Sequence, residues 1–528
     1  MQTIPVVKEF PVAKNAMPDR WFNATTWFVD RHVKEGRGRN LAFLHHEGQT
    51  TYQDLCRQVS QTANLFRSLG IQIEQRIALI LPDCLDFPLA FWGAIKAGMI
   101  PVPLNTMLTI DDYRYLLQDS RATAVVVAHE WVDKVLSIQD DLPHLRHILV
   151  AEDPASGWRQ QIDRQPNCMQ PVQTTSDDVA FWLYSSGSTG APKAAMHLHR
   201  DLLATAELYG REILTIRESD RVFSISKLFF AYGLGNSMTF PMHVGASAVL
   251  MRDRPTVDRV QAMVDQHRPT LFFAVPTLYA HLLAGEGVRM PESVRMAVSA
   301  GEALPADLVR RWRQRYGTPI LDGLGSTEML HIFLSNRPDQ IREGSSGFPV
   351  PGYELRIVDE NGHDVAPGEL GELIVRGPSS ALGYWNQRDK SKRTFRGEWT
   401  YTGDKYVRYP DGSYHFAGRG DDMLKVGGIW VSPFEVETAL NEHPDVLEAA
   451  VVGHPDDQGM VKPKAYVVRS PGSNVTADSL VQFSRDRLAA WKYPRWVEFV
   501  SELPKTASGK VQRFRLRDTE TPANAANM

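Results

Sequence analysis

Cysteine is scarce, with Cys56, Cys84 and Cys168 the only three in 528 residues. An odd number without CxxC spacing supports neither a disulfide framework nor a structural zinc site, and it fits a reducing cytosol. A dominant charge sign is missing too: 58 basic and 62 acidic residues are interleaved and leave a formal net charge of −4. No basic stripe marks a nucleic-acid partner, so any phosphate ligand must be held locally. The N-terminus, MQTIPVVKEFPVAKNAMPDRW, lacks the uninterrupted apolar stretch of a signal peptide. Long apolar runs are absent elsewhere: the most apolar region, Ile77 to Leu104, is broken by Pro82, Asp83, Asp86, Pro88, Lys96 and Pro101. That pattern predicts strand, helix, strand rather than a membrane span. A cytoplasmic protein without a membrane partner is expected.

What is present is an ordinary globular balance, 43% hydrophobic and 23% charged. The chain is too long for one core, so a large N-terminal part and a further domain are expected. Leu55, Val59, Ala63 and Phe66 recur at helical spacing between Thr51 and Leu69, and Gly70 follows as a cap. Next come the strand RIALILP, a helix from Asp86 to Lys96, the strand IPVPL, a helix from Asp111 to Gln118 and the buried strand ATAVVVA. This alternation predicts parallel α/β layers, and TLFFAVP and VRMAVSA continue it. Beyond Pro349 the segments YELRIVDENG, GELIVRG and GSYHFAG are short and alternating, which predicts a small antiparallel barrel or sheet over about 345–418. From residue 419 to 528, EVETAL, VLEAAVVG, KAYVVR and a helix through Leu480 to Trp491 predict a separate α+β domain behind an N-terminal domain of residues 1–418.

The strongest chemical signal is Tyr184-Ser185-Ser186-Gly187-Ser188-Thr189-Gly190-Ala191-Pro192-Lys193, set between the apolar stretches VAFWL and AAMHLH. Its glycines let successive backbone N–H groups converge on an anion, its hydroxyls add donors, and Lys193 supplies compact positive charge. The glycine and lysine spacing is not that of a Walker loop. Such a Ser/Gly cluster alone also suits a surface turn. Its residue order, however, resembles the signature of the adenylate-forming superfamily: acyl- and aryl-CoA synthetases, peptide-synthetase adenylation domains and luciferases. Further segments match in the same order: Gly323-Leu324-Gly325-Ser326-Thr327-Glu328, Tyr401-Thr402-Gly403-Asp404, Gly418-Arg419-Gly420-Asp421-Asp422 running into Lys425-Val426-Gly427-Gly428, and Pro504-Lys505-Thr506-Ala507-Ser508-Gly509-Lys510.

That resemblance implies a carboxylate attacking the α-phosphorus of ATP, with Lys510 as catalytic residue and the Thr189 loop and Glu328, holding Mg2+, gathering the phosphates. It implies Asp404 on the ribose hydroxyls with Arg419 as its partner. Ala300-Gly301-Glu302-Ala303 together with Asp322 and Gly323 would wall the adenine side. Asp421 matches the hinge about which the C-terminal domain rotates before transfer to a thiol. Gly427 and Gly428 would then let the pantetheine arm of coenzyme A pass, with Trp430 nearby. Lys510 also matches a site for a lysine acetyltransferase, and a homodimer is left open.

Two aromatic stretches address the acid itself: Lys227-Leu228-Phe229-Phe230-Ala231-Tyr232-Gly233-Leu234-Gly235 and Met329-Leu330-His331-Ile332. Phe230, Tyr232 and Ile332 suit a flat ring. No aspartate stands between Phe229 and Gly235 to hold an ammonium group, and bulky Phe230 and Tyr232 would close a long-chain tunnel. His331 reads equally as a partner for a ring substituent or as a core histidine. KLFFAYGLGNSMTFP with GSTEMLHIFLSN resembles benzoate-CoA ligases in particular. The substrate side is thus expected from Phe230, Ala231, Tyr232, Ala300, Gly325, His331 and Ile332. An aryl-acid adenylating enzyme that loads a separate carrier protein, or a non-catalytic ligand sensor, are the alternatives.

Overall fold

Thr51 opens the first long helix by accepting a hydrogen bond from the Asp54 amide, and the helix Tyr52–Ser68 buries Leu55, Val59, Ala63 and Phe66 as the spacing predicts. Gly70 follows with φ +75°, a left-handed conformation that ends the helix at little cost. The computed structural model describes residues 18–152, 157–185, 191–285, 287–420, 422–426, 429–457, 460–505 and 511–518.

The helix Asp86–Lys96 is buried along its entire length. Its two charges are therefore paired: Lys96 Nζ lies 2.6 Å from Asp30 Oδ1, and Arg159 Nη2 lies 2.8 Å from Asp86 Oδ1, which also accepts from Trp158 Nε1 at 2.8 Å. It packs beside a four-stranded sheet ordered Ile100–Pro103, Arg76–Ile80, Ala124–Ala128, His147–Ala151, parallel throughout. Among the described residues the largest sheet has nine strands. Its middle, from Ile320–Gly325 through Met296–Ser299, Leu271–Ala274, Arg221–Ser224 and Ser247–Val249 to Leu41–His45, is parallel. Both ends are antiparallel, where Ile332–Ser335 pairs Ile320–Gly325 and Gly48–Thr51 pairs Leu41–His45.

A hairpin of Val179–Ser185 and Lys193–Leu198 carries the phosphate-loop segment at its tip, and Gly383–Tyr384 adds to its edge, with Tyr384 opposite Ala195. The expected antiparallel region is a sheet of Glu354–Val358, Leu370–Arg376, Trp399–Arg408 and Tyr414–Arg419, with Phe395–Arg396 beside Trp399–Arg408.

The C-terminal elements have a hydrophobic cluster of their own, including Val431, Val436, Leu440, Val451, Val467 and Leu480. The hairpin Leu424–Val426/Ile429–Val431 leads into the helix Pro433–Asn441 and a sheet of Val446–Pro455, Val461–Arg469 and Trp496–Phe499. One sequence expectation needs correction here. The helix through Leu480 spans only Ala477–Arg485, and the chain to Trp491 runs in turns, with the Lys492 amide bonded to the Ala489 carbonyl. Further on, Pro494 disfavours helical backbone at Tyr493, ahead of the strand Trp496–Phe499. Among the described residues no helix is long and apolar enough to cross a membrane.

Candidate active site

The hairpin brings Ser185 and Lys193, which flank the rest of the phosphate-loop segment, opposite one another in register. Ser186, Gly187, Ser188, Thr189 and Gly190 lie outside the described residues, as do Asp421, Gly427, Gly428 and Lys510. The Ser185 hydroxyl is buried without a partner among the described residues.

Lys193 and Glu328 meet directly, and a third residue bridges them. Lys193 Nζ lies 3.2 Å from Glu328 Oε1 and donates to the Tyr384 hydroxyl at 2.6 Å, while that hydroxyl donates to Glu328 Oε1 at 2.7 Å. Burial pushes the Glu328 carboxyl up, yet the Lys193 charge and the Tyr384 hydrogen bond hold it below the ordinary glutamate range. Tyr384 was not foreseen. Its place in the hairpin sheet, opposite Ala195 and therefore diagonal to Lys193, is what aims its phenol, and no local pattern announces that pairing.

The loop carrying Glu328 has its backbone carbonyls accounted for. Thr327 O accepts from His197 Nε2 at 2.7 Å and from the Leu330 amide, Glu328 O accepts from the Ala381 amide at 2.8 Å, and Met329 O accepts from Ser379 Oγ at 2.8 Å. Ser326 Oγ accepts from the Met329 amide. Leu330 sits at φ +65°, a strained setting for leucine that turns the chain from Glu328 toward His331.

Magnesium takes oxygen ligands and is commonly held by one or two carboxylates together with substrate phosphates. Among the described residues no three His, Cys, Asp or Glu side chains cluster as a metal cage. An ionised Glu328 beside the phosphate-loop lysine therefore fits an ion that arrives with a nucleotide.

Asp404 and Arg419 are opposite each other on adjacent strands, with Arg419 Nη1 donating to Asp404 Oδ1 at 3.0 Å and to Thr402 O at 3.2 Å. Gly403 takes φ +75°, and a Cβ there would stand 3.2 Å from the Arg419 guanidinium. Asp322 lies within the strand Ile320–Gly325, paired with Ser299 of the neighbouring strand. Burial pushes its carboxyl well up, and Oδ1 has no partner among the described residues. Ala300, Gly301, Glu302 and Ala303 follow the neighbouring strand Met296–Ser299, with Gly301 at φ +93° and Thr277 Oγ1 donating to Glu302 Oε2 at 3.3 Å.

The aromatic stretches also converge. Tyr232 donates to Val298 O at 3.1 Å, two residues before Ala300, and Phe230 stacks edge-on with Phe229 at 4.7 Å. Ala231 begins the short helix Ala231–Leu234, and Gly233 there is obligatory because a Cβ would lie 2.1 Å from the Lys227 carbonyl oxygen. Ile332 packs on Gly323, where a Cβ would fall 2.9 Å from Ile332 Cδ1. His331 is buried among Tyr209, Tyr232 and Phe240, and its Nε2 lies 3.3 Å from Tyr232 O. Since a carbonyl only accepts, Nε2 carries the proton and Nδ1 is an acceptor without a partner among the described residues. Burial lowers the His331 pKa to about 3, so the ring is neutral. Gly325 belongs to both regions: a Cβ there would stand 2.6 Å from the His331 carbonyl oxygen, three residues before Glu328.

On the C-terminal side, Trp430 is half exposed on the hairpin Leu424–Val426/Ile429–Val431, with Lys425 Nζ 5.6 Å from its ring centre. Lys505 and Val511, which flank the segment bearing Lys510, pair as an isolated bridge. Lys505 bonds Glu448 at 2.7 Å, and His281 of the helix Pro276–Ala284 approaches the same carboxylate at 3.3 Å, tying the base of that segment to the N-terminal part.

The family model for the AMP-binding enzyme matches residues 29–385, and that for the AMP-binding enzyme C-terminal domain matches residues 435–510. The chain is 49% identical over 512 residues to a 4-hydroxybenzoate–CoA/benzoate–CoA ligase of Rhodopseudomonas palustris, covering 95% of each. Among solved structures it resembles the anthranilate CoA ligase AuaEII in complex with anthranoyl-AMP, with a TM-score of 0.92 and 41% identity over 95% of this chain and 98% of that one. It also resembles a benzoate CoA ligase from Burkholderia xenovorans LB400, with a TM-score of 0.88 and 46% identity over 94% of this chain and 100% of that one. Ordered motifs, a lysine–tyrosine–glutamate hub beside an aromatic pocket, and matches over nearly the whole length agree: the chain belongs to the family of AMP-binding enzymes.

Proposed function

We propose that the chain is an AMP-forming ligase that joins an aromatic carboxylate, benzoate first among candidates, to coenzyme A. The observation that carries this reading is the turn from Gly325 to Ile332, whose Glu328 meets Lys193 and Tyr384 while its His331 packs among the rings of Tyr209, Tyr232 and Phe240. The relatives support it, being a benzoate and 4-hydroxybenzoate ligase, an anthranilate ligase and a benzoate ligase.

In the first step a carboxylate oxygen of the acid bonds to the α-phosphorus of ATP, and the bond to the bridging oxygen breaks to release pyrophosphate. Mg2+, when bound, neutralises phosphate charge and so lowers the repulsion between the two reacting anions. Lys193 and Tyr384 hold the Glu328 carboxylate ready for it. Asp404 takes the ribose hydroxyls, Arg419 orients Asp404, and the Asp322 side faces the base. The aromatic walls fix the ring and exclude water from the mixed anhydride. Lys510 stabilises the charge that develops on the phosphate oxygens.

In the second step the thiol sulfur bonds to the acyl carbon, loses its proton, and AMP departs. For this we assign residues 1–418 to an N-terminal domain with a barrel-like β subdomain over about 345–418, and 419–528 to a mobile domain hinged at Asp421. Its rotation would withdraw Lys510 and bring Gly427, Gly428 and Trp430 to the thiol.

A panel of benzoate, hydroxy-, amino- and fluorobenzoates, cyclohexanecarboxylate and a long-chain fatty acid, each offered with coenzyme A or with a carrier protein, tests the reading. Benzoate with coenzyme A should give the highest kcat/KM. A preference for the aliphatic acids, or for the carrier protein, would overturn it.

A further inference from the structure

The strand Lys193–Leu198 touches the Glu328 loop twice. Lys193 and His197 are four residues apart, so they project from the same face of an extended strand. Lys193 contacts the Glu328 side chain, while His197 Nε2 lies 2.7 Å from the Thr327 carbonyl, one residue earlier. Because that carbonyl only accepts, Nε2 must carry a proton. The other ring nitrogen, Nδ1, lies 2.9 Å from Asp201 Oδ2, and the imidazole stacks on Phe181 at 5.3 Å. Both His197 and Asp201 are buried, and Asp201 Oδ2 also accepts from the Leu198 amide at 3.0 Å. Whichever of the pair holds the second proton, Asp201 fixes the ring so that Nε2–H points at Thr327.

We propose that His197 is a positioning residue for the metal-binding carboxylate, its Nε2–H clamping the backbone from which Glu328 projects. The inference rests on the reading of Glu328 as the magnesium ligand. Carboxylate ligands depend on the groups that orient them, and removing an outer partner costs roughly 10- to 100-fold in metal affinity.

The test is a Mg2+ titration of the full-length protein with α,β-methylene-ATP, read as the nucleotide-induced rise in Tm, which needs no turnover. His197→Ala should raise the Mg2+ concentration at half-maximal stabilisation at least tenfold, and His197→Gln, whose amide reaches as far as Nε2, should stay within about threefold of wild type. Benzoate binding, read by tryptophan fluorescence, should be unchanged in both. If Glu328→Ala leaves the Mg2+ requirement at the wild-type value, the reading of Glu328 fails. If Glu328→Ala raises it and His197→Ala lowers only the Tm, the positioning role is overturned. Should His197→Ala not fold, His197→Asn, one methylene too short to reach Thr327, replaces it: a raised requirement in the Asn variant but not the Gln variant supports the role, and equal requirements overturn it.

Discussion

Replacing Tyr384 by phenylalanine removes one oxygen from the centre of the site and leaves the ring packed at 5.3 Å from Phe395. The lost hydroxyl donates to Glu328 Oε1 at 2.7 Å and accepts from Lys193 Nζ at 2.6 Å, two hydrogen bonds to charged groups. Such bonds contribute about 1.5–3 kcal/mol each, but the 3.2 Å contact between Lys193 and Glu328 survives and takes up part of the loss. A net cost of about 1.5–2 kcal/mol corresponds to a fall of about 10- to 30-fold in benzoate-dependent ATP–pyrophosphate exchange. Transfer to coenzyme A from preformed benzoyl-adenylate does not use the metal carboxylate and should change less than threefold. The variant also has a signature in pH. Glu328 acts ionised, and its carboxyl is held low by Lys193 and Tyr384 against the upward push of burial. Its contribution is therefore present at neutral pH and lost as pH falls through its depressed pKa. Removing the Tyr384 donor raises that pKa, so the acidic fall in exchange should begin at a higher pH in Tyr384→Phe than in wild type. Exchange within twofold of wild type, or an acidic limb that does not move, would refute the hub as described.

Lys510→Ala should lower adenylation by several kcal/mol while thioester formation from benzoyl-adenylate is much less affected, and Lys510→Gln, which imitates the charge loss of acetylation, should behave alike. Equal losses in both half-reactions, measured by rapid quench, would contradict the assignment. Glu448→Gln removes the charge shared by Lys505 and His281 at the base of the Lys510 segment, and should slow adenylation more than transfer in the same assay. Gly233→Ala places a Cβ 2.1 Å from a backbone oxygen and should cost about 1–3 kcal/mol or more, read by denaturant unfolding. Asp404→Asn keeps the size but weakens the paired acceptor, and should raise the KM for ATP with little effect on the KM for benzoate.

Elements with strong local patterns were legible in the sequence: the helix Tyr52–Ser68 from its spacing and cap, the buried strand Ala124–Ala128, and the antiparallel character of Glu354–Val358 and Leu370–Arg376. The helix after Thr476 was overextended because Leu488, Ala489, Ala490 and Trp491 continue the apolar pattern past Arg485, where the chain runs in turns instead. Asp404 and Arg419 could be paired in advance from ordered motifs, and the strand register places them together. Tyr384 and His197 could not. Tyr384 reaches Lys193 across 191 residues and His197 reaches Thr327 across 130, through strand addition and burial that leave no periodic trace in either segment. What a single sequence hides is the set of residues that hold the motif side chains in place.

The central claim is tested most directly by incubating the protein with benzoate, ATP, Mg2+ and coenzyme A and following all products by chromatography and mass spectrometry. Benzoyl-CoA, AMP and pyrophosphate should appear in equal amounts, each dependent on benzoate. Formation of ADP, or of AMP without a thioester, would contradict it.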